Sequence, residues 1–353
     1  MAKTGKDGKV RFGLIGCGEI AVRSLEAIQT SHEVCRITAV QDVVETLAKD
    51  AAEKLEVPYV TDAAKLLEHD DVDAVVVSTP HFLHGPLSIQ AAKAGKHIAC
   101  EKPIACTLRQ ADEMIEAAKA AGVLLSVNYV TRYDAPVTKA AELLQQGAIG
   151  KVIRFQAHVA ADKPESYWSG GYSGRNKSDW RQSKEQSGGG VLIMNLIHDL
   201  DRIHHIASLE PVRVYAECDT HCTPVEVEDN ISITARYANG AIGSIDAMSC
   251  ARGRENFGNR LYGTEGQIEL SWPLRVFTTK DVPGLKKNEW TSVELPGKQW
   301  GPDARQVYFR RFAEAILAGA KSCDIPGEAA RKSLAFCLAA YESAQKHAPV
   351  TVG

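Results

Sequence analysis

The first apolar run of the chain, VRFGLI from Val10 to Ile15, stops at the glycine turn GCGEIA. The segment that follows, AVRSLEAIQTS, has its apolar residues at helical spacing. CRITAVQD then reads as a second strand ending on Asp42, and VETLAKDAAEKLE as the next helix. DVDAVVVSTP is almost all valine before its polar end, as expected of a central parallel strand buried on both faces. HGPLSIQAAKAG, KHIACEKP, TLRQADEMIEAAKAAG and VLLSVNYV extend the alternation to about residue 130. About six strands alternating with helices predict a doubly wound α/β parallel sheet.

Beyond a connecting helix, APVTKAAELLQQG, the texture changes. KVIRFQAHVAA, VRVYAECDT and NISITARYANGAIGSIDAMSC follow one another as strands, and Asn239-Gly240 is a strong hairpin signal. NRLYGTEGQIEL repeats that logic, so residues 131–353 predict a mainly antiparallel α+β domain after an α/β domain of residues 1–130. Two elements interrupt it. A polar, aromatic and glycine-rich segment between His158 and Gly188 is too long for a passive connection and reads as a lid. GGGVLIMNLIHDLDRIHHIAS reads as a helix opening at or just after three glycines, and two more helices close the chain, either within this domain or packed back on the first.

A length of 353 residues fits two domains. With 44% hydrophobic residues, 24% charged residues and a net charge of −3, nothing electrostatic points to nucleic acid or an anionic membrane, so the expected partner is a small molecule. The polar start, MAKTGKDGKV, and the lack of a membrane-length apolar run predict a cytoplasmic protein. The nine cysteines include no Cys-x-x-Cys pair, which predicts reduced thiols and no metal. CDTHC, read as a strand, would set His221 on the face opposite Cys218 and Cys222, a poor chelating arrangement.

Gly16-Cys17-Gly18-Glu19-Ile20-Ala21 fits the dinucleotide pattern, in which two glycines admit the turn and the pyrophosphate and a small residue lets helix and strand pack closely. Asp42, at the end of the second strand, stands where a carboxylate accepts the adenosine ribose hydroxyls; it repels a 2′-phosphate, and Val43 and Val44 offer no compensating arginine. NAD is therefore favoured over NADP. Ser78, Thr79, Pro80, His81 and His84 lie at the end of the valine strand, where open sheets bind ligands; Thr79 and Pro80 suit a wall beside the nicotinamide, and His81 and His84 either contact the cofactor or cap the next helix. Glu101 and Lys102 end the KHIAC strand at the same edge of the sheet, and Pro103 holds Glu101 extended. Desolvation there would lower the Lys102 pKa and suit the amine to proton transfer; a structural ion pair is the alternative.

These motifs, with SGGGVLIMNLIHDLD and YGTEGQIEL, resemble the Gfo/Idh/MocA oxidoreductases over about residues 10 to 270, and EKP is the most specific of them. The resemblance implies a Rossmann domain, a second domain on a large open sheet that mediates a homodimer or homotetramer, and hydride transfer at a sugar or cyclitol carbon. It also implies that Lys102 and His198 form the catalytic pair and converge on one substrate carbon. Many members carry an aspartate four residues before that histidine, where this chain has Met194; Asn195 beside it is a candidate substrate contact or a packing residue. His204 and His205 read as structural. In the long loop, Tyr167, Trp168, Tyr172, Trp180 and Arg181 suit a sugar face or a covering role. Arg132, Tyr133 and His158 are further pocket candidates. Two other activities suit the same fold, namely NAD-dependent glycoside cleavage and non-catalytic nucleotide sensing.

Overall fold

The computed structural model describes residues 8–253, 258–297 and 303–353. The polar start, residues 1–7, lies outside the described residues. Among the described residues no helix is long and apolar enough to cross a membrane.

The chain forms two compact units. The first runs through Val130 and takes in Ser166–Gly188 and Arg305–Leu334. Its strands are β1 (Val10–Ile15), β2 (Cys35–Gln41), β3 (Tyr59–Val60), β4 (Ala74–Val77), β5 (His97–Cys100) and β6 (Leu125–Val127). Between them lie α1 (Glu19–Thr30), α2 (Glu45–Leu55), α3 (Ala63–Leu67), α4 (His84–Lys93) and α5 (Leu108–Ala121). The sheet order is β3-β2-β1-β4-β5-β6, and every pair is parallel. Strand order reverses between β1 and β4, which opens a crevice at the carboxyl ends of those strands. Every residue of β1 and β4 is buried, and Arg11, the one charged residue among them, pairs with the buried Asp73 at 2.7 Å.

The second unit comprises Thr131–Glu165, Gly189–Ala304 and Ala335–Gly353. After α6 (Ala135–Gln145), β7 (Val152–Ala160) begins its sheet; the short helices α7 (Ser166–Gly170) and α8 (Lys184–Ser187) of the interrupting segment belong to the first unit. Next come a π-helical stretch, Leu192–Leu196, and α9 (Ile197–Ile206). The sheet continues with β8 (Pro211–Asp219), β9 (Asn230–Tyr237), β10 (Ile242–Met248), β11 (Asn259–Gly263), β12 (Gly266–Leu270), β13 (Leu274–Thr278) and β14 (Trp290–Val293). Helices α10 (Asp303–Leu317) and α11 (Gly327–Lys346) and the short β15 (Val350–Thr351) end the chain. The order β14-β13-β12-β11-β7-β10-β9-β8-β15 is antiparallel except where β7 and β10 pair in parallel. Along β9, Ile231, Ile233, Ala235 and Tyr237 are buried while their neighbours are exposed, the alternation of a sheet covered on one face.

Two local expectations are corrected. The strand containing Cys218 ends at Asp219, so His221 and Cys222 lie beyond it in a turn. The buried carboxylate of Asp229 accepts the backbone N–H groups of both and thereby breaks the strand's alternation. The helix after the three glycines is not regular from its start: its first stretch is π-helical, which changes the angular spacing of the residues preceding His198.

Candidate active site

In the first unit the crevice is built around the turn from β1 to α1. Gly16 has φ of +90°, and a Cβ there would stand 2.8 Å from the Ser78 carbonyl oxygen. A Cβ on Gly18 would meet no protein atom within 4 Å, and no side chain caps α1 at that residue. Open space at an uncapped helix N-terminus is what a pyrophosphate needs. Cys17 donates its N–H to Asp42 Oδ2 at 2.7 Å, and Val44 donates to Oδ1 at 2.9 Å. Asp42 thus fixes the glycine turn and stands beside it. Cys17 is buried, Glu19 and Ile20 are half-buried, and the buried Ala21 packs the helix closely, as the motif requires. Ser78 Oγ and Thr79 Oγ1 are buried and have no hydrogen-bond partner among the described residues, so two polar groups face the same edge unsatisfied. Together these features fit a bound dinucleotide.

The histidines of this region hold protein. His84 Nδ1 lies 2.7 Å from the Pro103 carbonyl and Nε2 lies 3.0 Å from the Thr79 carbonyl, bracing the turn after β4 against the loop that carries Lys102. A neutral ring donates only one of these bonds. Burial lowers the His84 pKa against the pull of both carbonyls. His81 Nδ1 meets the Ser187 carbonyl at 2.7 Å, and its ring centre lies 4.5 Å from that of Trp180. Burial, then the Lys102 charge, holds His81 neutral. Pro80 precedes the 3-10 turn His81–Leu83 that opens α4.

Lys102 follows β5 and is half-buried; its peptide to Pro103 is cis. Burial lowers its pKa to about 8, the nearby Arg181 and Arg305 charges push the same way, and Glu101 opposes them. Glu101 itself is buried, and its Oε1 accepts from Arg305 at 2.7 Å and from Asn128 Nδ2 at 2.5 Å. Arg305 also donates to Ser24 Oγ at 3.0 Å, joining α10 to α1. Sequence reasoning missed both partners, because Arg305 is remote in the chain and Asn128 carried no motif.

The interrupting segment crosses the same unit. Tyr172 donates its N–H to Glu19 Oε2 at 3.1 Å, which pins the segment to the first turn of α1. The Arg181 guanidinium lies over the rings of Trp180 and Tyr167, 4.6 Å and 5.2 Å from their centres. Trp168 is buried, set edge-on to Tyr167. Trp180 and Arg181 therefore lie on the His81 and Lys102 side of the unit, while Trp168 is enclosed.

In the second unit Asn195 lies within the π stretch and His198 follows at the start of α9; both are half-buried, whereas Met194 is buried. Asn195 Oδ1 is buried and has no hydrogen-bond partner among the described residues. The start of this helix is clamped by Glu228, which accepts from the backbone N–H groups of Gly190 at 2.6 Å and Leu192 at 3.0 Å and from the Tyr341 hydroxyl at 2.8 Å. Asp199 accepts from Arg202 and Asn259. Asn259 Oδ1 in turn takes the backbone N–H of His158 at 2.9 Å. Arg132 makes two bonds to the buried Asp201, at 2.6 Å and 2.7 Å, an ion pair that turns its charge toward α9. Tyr133 lies in the 3-10 turn Val130–Tyr133. His204, packed among Phe155, Tyr237 and Phe336, has its pKa driven down to about 3 by burial and then by the Arg132 charge. Glu228 was not found in the sequence, where it is one acid of the run VEVED.

Residues 10–129 match the family described as an oxidoreductase family with an NAD-binding Rossmann fold, and residues 137–269 match the GFO/IDH/MocA C-terminal domain. Myo-inositol 2-dehydrogenase of Thermotoga maritima is 29% identical over 322 residues, 89% of this chain and 86% of that protein. The 1,5-anhydro-D-fructose reductase of Ensifer adhaerens is 31% identical over 73% of this chain and 74% of its own length. Levoglucosan dehydrogenase in complex with NADH superposes with a TM-score of 0.87 at 25% identity, covering 98% of this chain and 99% of that one. With a glycine turn, an acid at the end of the second strand and unsatisfied hydroxyls at one sheet edge that fit a dinucleotide, this chain belongs to the Gfo/Idh/MocA family of NAD-binding oxidoreductases.

Proposed function

We propose that the protein is an NAD-dependent dehydrogenase or reductase acting on a secondary alcohol or ketone carbon of a sugar, sugar derivative or cyclitol, with Lys102 and His198 as its catalytic pair. The observation that carries this reading is Lys102 at the carboxyl end of the parallel sheet with its pKa lowered to about 8, where an amine exchanges protons near neutrality. Relatives named for myo-inositol, 1,5-anhydrofructose and levoglucosan support the substrate class. Bound NAD supplies the hydride acceptor. In oxidation the neutral Lys102 amine takes the hydroxyl proton, and in reduction its ammonium form returns it. His198 donates a hydrogen bond to the same oxygen and stabilises the charge that develops there. Asn195, whose carbonyl oxygen has no hydrogen-bond partner among the described residues, takes a neighbouring hydroxyl in place of the carboxylate that Met194 does not provide. Trp180 and Arg181 form the wall beside Lys102.

The net charge of −3 and the absence among the described residues of a membrane-length apolar helix agree with a cytoplasmic enzyme of small polyols. The wide second sheet suits a homodimer or homotetramer, which sedimentation at micromolar concentration would reveal. Reduction of NAD, followed by absorbance across polyols, aldoses and sugar acids, identifies the substrate. Lys102→Ala should lower its turnover by about 10²–10⁴-fold while NAD still binds; unchanged turnover would overturn the assignment.

A further inference from the structure

Cys222 lies in the turn after β8, and Cys250 lies just past the end of β10. One residue fixes both. Asp229, fully buried, accepts from His221 N at 2.9 Å, Cys222 N at 2.7 Å and Thr223 Oγ1 at 3.3 Å. Its carbonyl takes the N–H of Ser249 at 2.8 Å, and its own N–H donates to the Asp219 carbonyl at 3.2 Å. A backbone bridge between Asp162 and Cys250 anchors the second cysteine from the other side. As a result the two sulfurs and an Asp229 oxygen all lie within 4.8 Å of one another. Cys222 is exposed, so small reagents reach it, and Cys250 is half-buried behind it.

Two chemistries suit such a group. Zinc takes thiolates and carboxylates, but its structural sites use four protein ligands. Here the carboxylate already accepts three hydrogen bonds, and no histidine ring nitrogen joins the group among the described residues. What remains is two thiols whose sulfurs lie within 4.8 Å of each other, which a disulfide would draw to about 2 Å. We propose that Cys222 and Cys250 are a redox pair that closes into a reversible disulfide within the second unit, tying the β8–β9 connection to the end of β10.

The step balances with a small organic disulfide as oxidant. The Cys222 thiolate attacks one sulfur of glutathione disulfide, forming a mixed disulfide and releasing one glutathione. Cys250 gives up its proton, attacks the Cys222 sulfur and releases the second glutathione. Two protein thiols are oxidised and one external disulfide is reduced. Burial, reinforced by Cys222 and Asp229, pushes the Cys250 thiol up to about 12, which makes the exposed Cys222 the first to react. The tie would stiffen the segment that runs directly into Glu228, the clamp on the helix bearing His198.

The test treats the intact protein with glutathione disulfide, alkylates the remaining thiols and maps the peptides by mass spectrometry. The expected product joins the Cys222 and Cys250 peptides and is short by two hydrogens. It disappears on reduction and is absent from C222S and C250S, and C250S instead carries glutathione on Cys222. The oxidised wild type should also melt at a higher temperature than the reduced protein. A stable glutathione adduct on wild-type Cys222, with Cys250 alkylated, would overturn the proposal. So would retention of one equivalent of zinc that shields both thiols from alkylation while no joined peptide forms. Because Cys222 is exposed, C222S should fold like the reduced wild type, and it is the variant on which the comparison rests.

Discussion

The two glycine clusters of this protein precede helices in the same way and have opposite surroundings. At Gly16–Gly18 the first glycine closes on the protein, while the position of a Gly18 Cβ is empty. At Gly189 and Gly190 nothing is empty: a Cβ would stand 2.1 Å from the Tyr341 hydroxyl in the first case and 1.9 Å from the Glu228 carbonyl oxygen in the second. At the start of α1 no side chain caps the helix at Gly18, an arrangement that suits an anion, whereas the donors at the start of the His198 helix are taken by the protein's own carboxylate, Glu228. Glycine before a helix therefore marks a close approach without saying what approaches. In the first unit the space stays open and fits a cofactor, and in the second it is filled by the fold itself.

The comparison breaks most visibly at Gly190. Gly190→Ala pushes a methyl into backbone and should cost more than about 4 kcal/mol in urea unfolding, if the variant folds at all; a near-native midpoint would mean the second cluster has slack. Glu228→Gln comes next, because an amide nitrogen must then face a backbone N–H. A loss of about 1–3 kcal/mol in stability is expected, together with lower kcat and undisturbed NAD affinity, since the residues of the nucleotide crevice lie in the other unit. Tyr341→Phe, which removes a single donor from Glu228, should have the milder effect of about 1 kcal/mol.

Gly18→Ala sharpens the other side of the contrast. Calorimetric titration should show NAD binding weakened by about tenfold or more, equivalent to about 1.4 kcal/mol, with no loss of folding stability. Weakened folding with unchanged affinity would reverse the roles assigned to the two clusters. The smallest effect is a slope. Because the folded-state pKa of Lys102 is lowered to about 8, its neutral form gains population as pH rises. Below that value kcat/KM for oxidation should rise about tenfold per pH unit, and level off above it. In the reducing direction the dependence inverts, since protonated Lys102 is required and is lost as pH rises. Neither trend should persist in Lys102→Ala.

Much of the first unit was legible in the chain. Strand and helix alternation from Val10 onward, the glycine turn and Asp42 are local signals, and the parallel order follows from chain sense and crossover. The antiparallel character of the second sheet was legible from hairpins such as Asn239-Gly240. The docking of the interrupting segment was not: Tyr172 on Glu19 and Trp180 against His81 join residues far apart in sequence. Nor was the π stretch ahead of His198, whose sequence reads as an ordinary apolar helix. The turn at His221 and Cys222 was misread as strand because the carboxylate that reshapes it comes later in the chain.

What the sequence determined by itself was periodicity and chemical type: which stretches alternate, where glycine permits close approach, and where an acid or an amine ends a strand. Tertiary structure decided the partners. It gave Glu101 to Arg305 and Asn128, gave the Gly190 N–H to Glu228, and brought Cys222 beside Cys250. The physical reason is that periodicity is set by neighbours along the backbone, whereas a buried polar group must be satisfied by whatever the packed fold brings within about 3 Å of it.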